Sequence, residues 1–387
     1  MPELSKRMQT GGANILLRLE EEARKRRAEG KAVYNLSAGT PDLPPDDFVM
    51  ETFSREALVP ENYQYAICDS PELLQAAVDW YDRRFDVKLV PEEITSVYGT
   101  QEGMAHIAFP LCDPGDLVLV PDPGYPVFRS GPLMAGAELA VTPLREENNY
   151  LVDLDAIPTS VAHRAKVMVV SYPNNPCTAA APMEFYERLV HFAKKHNIFV
   201  IHDNAYCELA LEDGPCGSFL QVPGARDVGM EFNSLSKSYN LTGMRMSFAL
   251  GNRKVIEAFR AFRSQIDYGP FRASQKATIA ALNGPQDILE RNRSAYRSRK
   301  NVLSSGLQKA GWKVPTCAGT MFVWYPLPEG WKDDVDFTFR LLEQTGVICV
   351  PGSSFGEMGR GYVRFALVLP EEQLGAAVTA IEASDLI

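Results

Sequence analysis

The chain is predicted to be an α/β protein: a large domain with a mostly parallel, seven-stranded sheet between helices, followed by a smaller α+β domain. Three observations predict this. Seven short apolar, β-branched runs recur between residues 94 and 250, most of them followed by turn residues and then a helix-compatible stretch, the pattern of buried parallel strands with helical crossovers. A long helical stretch from Arg253 to Lys300 then separates these runs from three further strands and a closing helix. The 387 residues also exceed one typical domain, so two are expected.

In order along the chain, Asn14 to Gly30 has Ile15, Leu16, Leu19 and Ala23 near helical spacing, and Glu20 to Lys31 is a charge run that suits a solvated face. Tyr34 to Pro45 is Gly/Pro-rich and loop-like, with Gly39-Thr40-Pro41-Asp42 as turn chemistry. The expected strands are Ile94–Tyr98, Leu117–Val120, Glu138–Val141, Val167–Ser171, Ile198–His202, Gly229–Ser234 and Ser247–Leu250. Gly319–Tyr325, Val347–Val350 and Tyr362–Ala366 follow in the smaller domain, with a last helix from Pro370. The expected division is a segment 1–40 joining the small domain, a large domain 41–285 and a small domain 286–387. No internal repeat or low-complexity segment interrupts it.

Composition narrows the function classes. Hydrophobic content of 45% and charged content of 23% are those of an ordinary soluble enzyme. A net charge of −10 argues against nucleic acid or an anionic membrane surface as the partner, though a local basic pocket stays possible. Met1 to Thr10 lacks an apolar core after its basic residues, and no apolar run reaches the roughly 18 residues a membrane helix needs. The cysteines at 68, 112, 177, 207, 216, 317 and 349 are scattered and form no Cys-x-x-Cys, which suits reduced thiols in a cytoplasm. None of the five histidines has metal-ligand spacing, so no metal site is expected.

In parallel sheets ligands sit at the carboxyl ends of strands, so the residues just after each strand matter most. Gly99-Thr100-Gln101-Glu102-Gly103 is a Gly-turn opening a helix, where backbone N–H groups can face an anion. Tyr125 lies in the proline-rich turn Pro121–Pro126 and could stack on an aromatic ligand, or could be a plain tyrosine on a rigid loop. Asn175 sits in Tyr172-Pro173-Asn174-Asn175-Pro176, where its amide could donate to a phenolate. Asp203 ends an apolar strand with Tyr206 three residues on; an acid there is costly to bury without a cationic partner. His202 faces the opposite way and is expected to be packed. Ser234-Leu235-Ser236-Lys237 with Arg245 downstream sets a lysine among hydroxyls and a guanidinium. In a partly desolvated pocket beside positive groups such a lysine loses its proton and can form a Schiff base with an aldehyde. The hydroxyls and Arg245 offer what a phosphate dianion needs. Aldehyde and phosphate together suggest pyridoxal phosphate, although Ser-x-Ser-Lys alone could be a surface loop.

Taken as an ordered set, Tyr65, Thr100-Gln101, Tyr125, Asn175-Pro176, Asp203/Tyr206, Ser234-x-Ser236-Lys237, Arg245 and Arg364 make the chain resemble the class I/II aminotransferases, fold-type I pyridoxal-phosphate enzymes, over nearly its whole length. Within them it is similar to the LL-diaminopimelate aminotransferases in Pro121–Val127, Tyr172–Pro176 and Phe232–Gly243. The resemblance implies pyridoxal 5'-phosphate as cofactor and a role for each residue. Lys237 would form the Schiff base and shuttle the proton from the substrate Cα. Asp203 would pair with the pyridine nitrogen, making the ring an electron sink. Asn175 and Tyr206 would hydrogen-bond the 3′-oxygen, and Tyr125 would stack on the ring. Ser234, Ser236, Arg245, Thr100 and Gln101 would cradle the phosphate, with Tyr65 reaching that of a neighbouring subunit in a homodimer with shared active sites. Arg364 would clamp the substrate α-carboxylate, with Gly39 and Asn175 on the same side.

Three positions depart from that subgroup: Gln101 stands where a Lys is usual, Asn14 where a substrate-side tyrosine is usual, and the expected Asn is not evident in Tyr268-Gly269-Pro270-Phe271. The implied activity is two-step transfer of an amino group from an L-amino acid to a 2-oxo acid, 2-oxoglutarate or pyruvate. A C–S β-lyase of the same fold and cofactor, and a non-catalytic binding protein of that fold, are the competing readings.

Overall fold

The structure, a computed structural model, describes residues 15–211 and 217–387. Asn14, Cys216 and the side chain of Leu16, on which expectations fell, lie outside the described part. The strands are β1 Tyr34–Asn35, β2 Ile94–Val97, β3 Leu117–Asp122, β4 Glu138–Pro143, β5 Ala165–Ser171, β6 Phe199–Asp203, β7 Gly229–Ser234, β8 Ser247–Gly251, β9 Phe322–Pro326, β10 Val347–Ile348, β11 Val350–Pro351 and β12 Tyr362–Ala366.

Strands β2 to β8 form one seven-stranded sheet in the order β2-β8-β7-β6-β5-β3-β4. All seven runs expected from the sequence are strands in it. β6 extends one residue beyond expectation, so Asp203 is its last residue. Residues in β7 and β8 are buried throughout, as central strands covered on both faces should be. The helix Met183–His196 makes the crossover from β5 to β6. Its buried Phe185, Tyr186, Leu189, Val190 and Ala193 follow helical spacing, and it stops at Asn197, which adopts φ 56°.

The direction of the strands places the site. β4, β3, β5, β6 and β7 run parallel to one another, whereas β8 is antiparallel to both β2 and β7. The carboxyl ends of β2, β3, β5, β6 and β7 therefore share one edge with the amino end of β8. Arg245, two residues before β8, arrives at the edge where Lys237 leaves β7.

The helical stretch 253–300 is not continuous. It is three helices, Arg253–Arg263, Arg272–Asn283 and Asp287–Lys309. Pro270 and the Gly284-Pro285 pair interrupt it, since proline has no N–H to continue a helix. The last of the three joins two cores: Ile288 and Leu289 pack against the large sheet, while Tyr296, Leu303 and Leu307 pack against the smaller one.

That smaller sheet is antiparallel, in the order β11-β12-β9. The expected strand Val347–Val350 is instead two strands, because the chain changes partner at the buried Cys349. β10 pairs in parallel with β1 while β11 joins β12. The expected start of β9 at Gly319 also moves, to Phe322, since Gly319 forms an isolated bridge with Ala210. The helix Ile15–Ala28 buries Leu19 and Ala23 against Leu342 and Ile348, on the small-sheet side. From β1 the chain runs through Leu36, whose carbonyl accepts from Ala366 N, to Gly39 at the edge of the large sheet.

Candidate active site

The strand ends surround a cavity of about 550 Å³, and every residue nominated from the sequence lines it except Tyr65. Tyr65 is 76% exposed and its ring lies against Tyr268, 5.2 Å between centroids.

One end of the cavity is an anion cradle. Ser234 ends β7 and caps the short helix Leu235–Ser238: its Oγ accepts from Ser236 N at 3.2 Å and from Ser247 Oγ at 3.1 Å. That turn carries Lys237 out over the sheet edge. Arg245 adopts φ 56°, a left-handed conformation rare for a side-chain-bearing residue, and donates to the carbonyls of Thr242 (2.9 Å) and Tyr98 (3.0 Å). It rests where a Cβ on Gly99 would be, so Gly99 is needed both for its own φ of 89° and for the room it leaves. Thr100 and Gln101 follow Gly99 in the first turn of a helix. Gln101 Oε1 accepts from Tyr125 Oη at 2.8 Å, tying that ring to the helix turn that follows Gly99.

At the centre stand an amine and an acid. Lys237 Nζ donates to the Gly39 carbonyl. Burial first, then the charges of Arg364 and Arg245, pull its pKa down to about 8, so a useful fraction is neutral near physiological pH. Burial pushes Asp203 up to about 6, a rise that the His202 charge opposes. Asp203 Oδ1 has no hydrogen-bond partner, and an unsatisfied buried carboxylate oxygen is costly.

The lysine's burial has a consequence for stability. Its folded-state pKa lies below its value of 10.5 in an unfolded chain, so the folded protein is penalised at pH values below about 8 and relieved as pH rises towards 10.5. Lys237→Met should therefore stabilise the cofactor-free protein near neutral pH by roughly 2 kcal/mol, the gain from removing a buried charge less that lost with the Gly39 hydrogen bond. Urea unfolding should show the gain shrinking as pH rises between those two values.

The other end holds Arg364, from β12. Its guanidinium donates to Asn175 Oδ1 at 2.7 Å and to the Ser37 carbonyl at 3.1 Å, while its Nε is buried without a partner. Phe322 and Phe355 face it at 4.0 and 4.8 Å from their ring centroids. Burial lowers its pKa to about 10, which leaves it cationic at neutral pH. Tyr206 lies close to both Asn175 and Asp203, and burial holds its phenol well above the usual range. Ser37, Phe322 and Phe355 were not singled out from the sequence. They are set by the pairing of β9 with β12 and by the path of the chain after β1, neither of which a strand pattern specifies.

A partly neutral lysine, two hydroxyls with a guanidinium, an acid with one unpartnered oxygen and a second buried guanidinium share one cavity. These groups fit pyridoxal phosphate: the unpartnered Asp203 oxygen suits a protonated ring nitrogen, the Ser/Arg end suits a phosphate, and Lys237 suits an aldehyde carbon.

The family profile of aminotransferase class I and II matches residues 31–381. The LL-diaminopimelate aminotransferase of Desulforudis audaxviator is 42% identical over 376 residues, 97% of this chain and 96% of the relative. That of Aquifex aeolicus is 40% identical over 99% of both chains. Among solved structures, substrate-bound BacF from Bacillus subtillis superposes with a TM-score of 0.94 at 36% identity, covering 99% of this chain and 98% of the other. Aspartate aminotransferase from Thermus thermophilus with maleate gives a TM-score of 0.91 at 29% identity, over 99% of both.

Proposed function

We propose, for a chain that belongs to the aminotransferase class I and II family, that the cavity around Lys237 transfers an amino group from an L-amino acid to a 2-oxo acid in two half-reactions. The chain is a pyridoxal-phosphate-dependent aminotransferase. The assignment of residues to tasks is our reading, and one observation carries it: an amine with its pKa pulled down to about 8 and a buried acid with one unpartnered oxygen in the same cavity.

When bound, pyridoxal phosphate supplies an aldehyde to receive the amino group and a ring that accepts the electrons left on the donor Cα. Ser234, Ser236, Thr100, Gln101 and Arg245 would hold its phosphate, Asp203 its ring nitrogen, Asn175 and Tyr206 its 3′-oxygen, and Tyr125 the face of its ring. Arg364 takes the donor's α-carboxylate, since its Nε is free and its plane is fixed between two aromatic rings. Gly39 lies on the same side and holds Lys237 Nζ in place. Lys237 is a buried amine with a pKa close to ambient pH, which suits it to remove the donor's Cα proton and to return one when the flow reverses. Phe322 and Phe355 keep water from the clamp.

The site is shared between two copies of the chain in this reading. Leu58, Tyr63, Tyr65 and Ile67 are 82, 68, 76 and 68% exposed, a run of large apolar side chains that a second copy would cover. Tyr65 would then complete the partner's phosphate cradle. The two cores support a division into a joining segment 1–40, a large domain 41–285 and a small domain 286–387, and the scattered cysteine spacing supports a cytoplasmic setting.

The relatives' names put LL-diaminopimelate and aspartate first among donors to try. With the cofactor-loaded protein, one of the tested L-amino acids should bleach the yellow band and yield its 2-oxo acid. A band that persists while ammonia accumulates would instead establish the lyase chemistry.

A further inference from the structure

The segment between β11 and β12 is held from both sheets. β11 pairs with β12 so that Val350 and Pro351 lie across from Arg364 and Val363. The chain then makes a short excursion, Gly352 to Gly359, through two 3₁₀ turns before it returns as β12. Phe355 ends the first of these turns. Its ring lies 4.8 Å from the Arg364 guanidinium and edge-on to Trp324, 6.0 Å between centroids. On the small-sheet side the excursion is fixed by Asp334, in the first turn of helix Asp334–Thr345, whose Oδ2 accepts from Ser353 N at 2.6 Å.

Its other fixings come from the large sheet. Asp122, the last residue of β3, is buried, and both its carboxylate oxygens meet the excursion. Oδ2 accepts from Glu357 N at 3.2 Å and Oδ1 from Met358 N at 3.1 Å. These two N–H groups open the second turn, where no carbonyl of the turn itself can reach them. Gly124, two residues beyond Asp122, donates its N–H to the Phe355 carbonyl at 2.8 Å. Arg129, on helix Val127–Met134, brings Nη2 to 2.6 Å from Asp122 Oδ2 and supplies the opposite charge. Gly356 makes the close approach possible: its φ is 133°, and a Cβ there would run into the Asp122 carboxylate and the Arg129 guanidinium. Asp122, Arg129 and Gly356 do not themselves line the cavity.

We propose that Asp122 is a positioning residue for recognition of the substrate's carboxylate: it pins the Gly352–Gly359 segment to the end of β3 and so seats Phe355 against Arg364. A carboxylate suits the task because it offers charged acceptors to two adjacent N–H groups at once. With the segment pinned, Phe355 covers the guanidinium and keeps water from it, and a cation holds an anion more strongly where water is excluded. Asp122→Asn keeps the shape but turns an amide NH₂ on one of the two N–H groups, so both are no longer met and the segment leaves its seat. Gly356→Ala pushes the same segment away from the other side and leaves Asp122 in place. This inference rests on the reading of Arg364 as the holder of the α-carboxylate.

Two measurements on the loaded enzyme test it, and neither requires the donor to be known. The first is hydrogen exchange followed by mass spectrometry. A peptide spanning residues 352–359 should exchange about tenfold faster in either variant than in the parent, the loss expected for one charge-assisted hydrogen bond. The second is the rate at which two oxyamines bleach the yellow band. Aminooxyacetate carries a carboxylate and methoxyamine does not; both capture the aldehyde carbon as an oxime and release the lysine amine. In both variants the rate with aminooxyacetate should fall about tenfold, while that with methoxyamine should change by less than about twofold. Unchanged exchange in Asp122→Asn overturns the proposal, as does faster exchange with no loss of rate with aminooxyacetate. An equal loss with both oxyamines also overturns it, being the mark of a general disturbance of the fold. If Asp122→Asn does not fold, Gly356→Ala carries both readouts. A parent enzyme that shows no preference for aminooxyacetate, relative to the rates of the two oxyamines with free pyridoxal phosphate, would overturn the role of Arg364 and the proposal with it; the other contrary outcomes fall on Asp122 alone.

Discussion

Lys237→Ala lowers turnover by roughly 10⁴-fold, the upper end of what a positioned acid–base group contributes. The size follows from the double duty proposed for one amine, which would hold the aldehyde in the resting enzyme and then move the Cα proton. Among the described residues lining the cavity none is placed to replace it: Tyr206 is held protonated by burial, Arg364 is cationic, and Asp203 is reserved in this reading for the ring nitrogen. The variant should still carry its cofactor through gel filtration, because Ser234, Ser236 and Arg245 keep the cradle geometry without the lysine. The same inactive chain also tests the shared site. It retains Tyr65, so mixing it with Tyr65→Ala subunits should restore activity in mixed dimers, each of which contains one intact site. Unaltered turnover in Lys237→Ala would remove the basis for every role assigned above.

Asp203→Asn has the second largest effect, and it has opposite signs for activity and stability. A buried charge pair broken by removing one partner costs about 3–5 kcal/mol, so kcat should fall by roughly 10²–10³-fold in the loaded enzyme. In the cofactor-free protein the carboxylate is a liability. Its folded-state pKa of about 6 lies above the unfolded value of 3.8, so the acid is least costly at low pH and stability is lost as pH rises from 3.8 through 6. Asparagine removes that loss, on the order of 2–3 kcal/mol. Comparing melting curves of the empty protein near neutral pH with kcat of the loaded one should show the first rising while the second falls. A fall in both would mean that Asp203 is chiefly a structural residue.

Much of this was legible in the sequence, for identifiable reasons. Six of the seven strands of the large sheet are buried along nearly all their length, only the edge strand β4 being largely exposed, so they read as compact apolar runs whose limits are marked by turn residues; β7, Gly229–Ser234, has the bounds the sequence suggested. The site residues that follow such strands, Asp203 and Ser234 to Lys237, could be nominated because parallel sheets gather their carboxyl ends. Arg245 was harder, since it precedes a strand; only the reversal of β8 brings it to that edge, and motif order pointed to it instead. The small sheet was legible only in part: β12 has the expected bounds Tyr362–Ala366, but the segment before it does not. β10 and β11 are two residues each and belong to different sheets, so a continuous apolar run conceals the change of partner at Cys349. Phe322 and Phe355 became visible only once Arg364 had neighbours in space. The sequence reading of His202 as a packed histidine placed it on the right face: it is fully buried, within hydrogen-bond reach of Glu231 and the Tyr172 carbonyl, both remote in sequence.

The central claim is that the amino group itself is passed on. The loaded enzyme should be given a donor amino acid with a heavy-nitrogen amino group, together with unlabelled pyruvate or 2-oxoglutarate, and the products weighed by mass spectrometry. The account predicts that the newly formed amino acid carries the label, one for one with the 2-oxo acid made from the donor. Label released as ammonium, with none in a new amino acid, would contradict it.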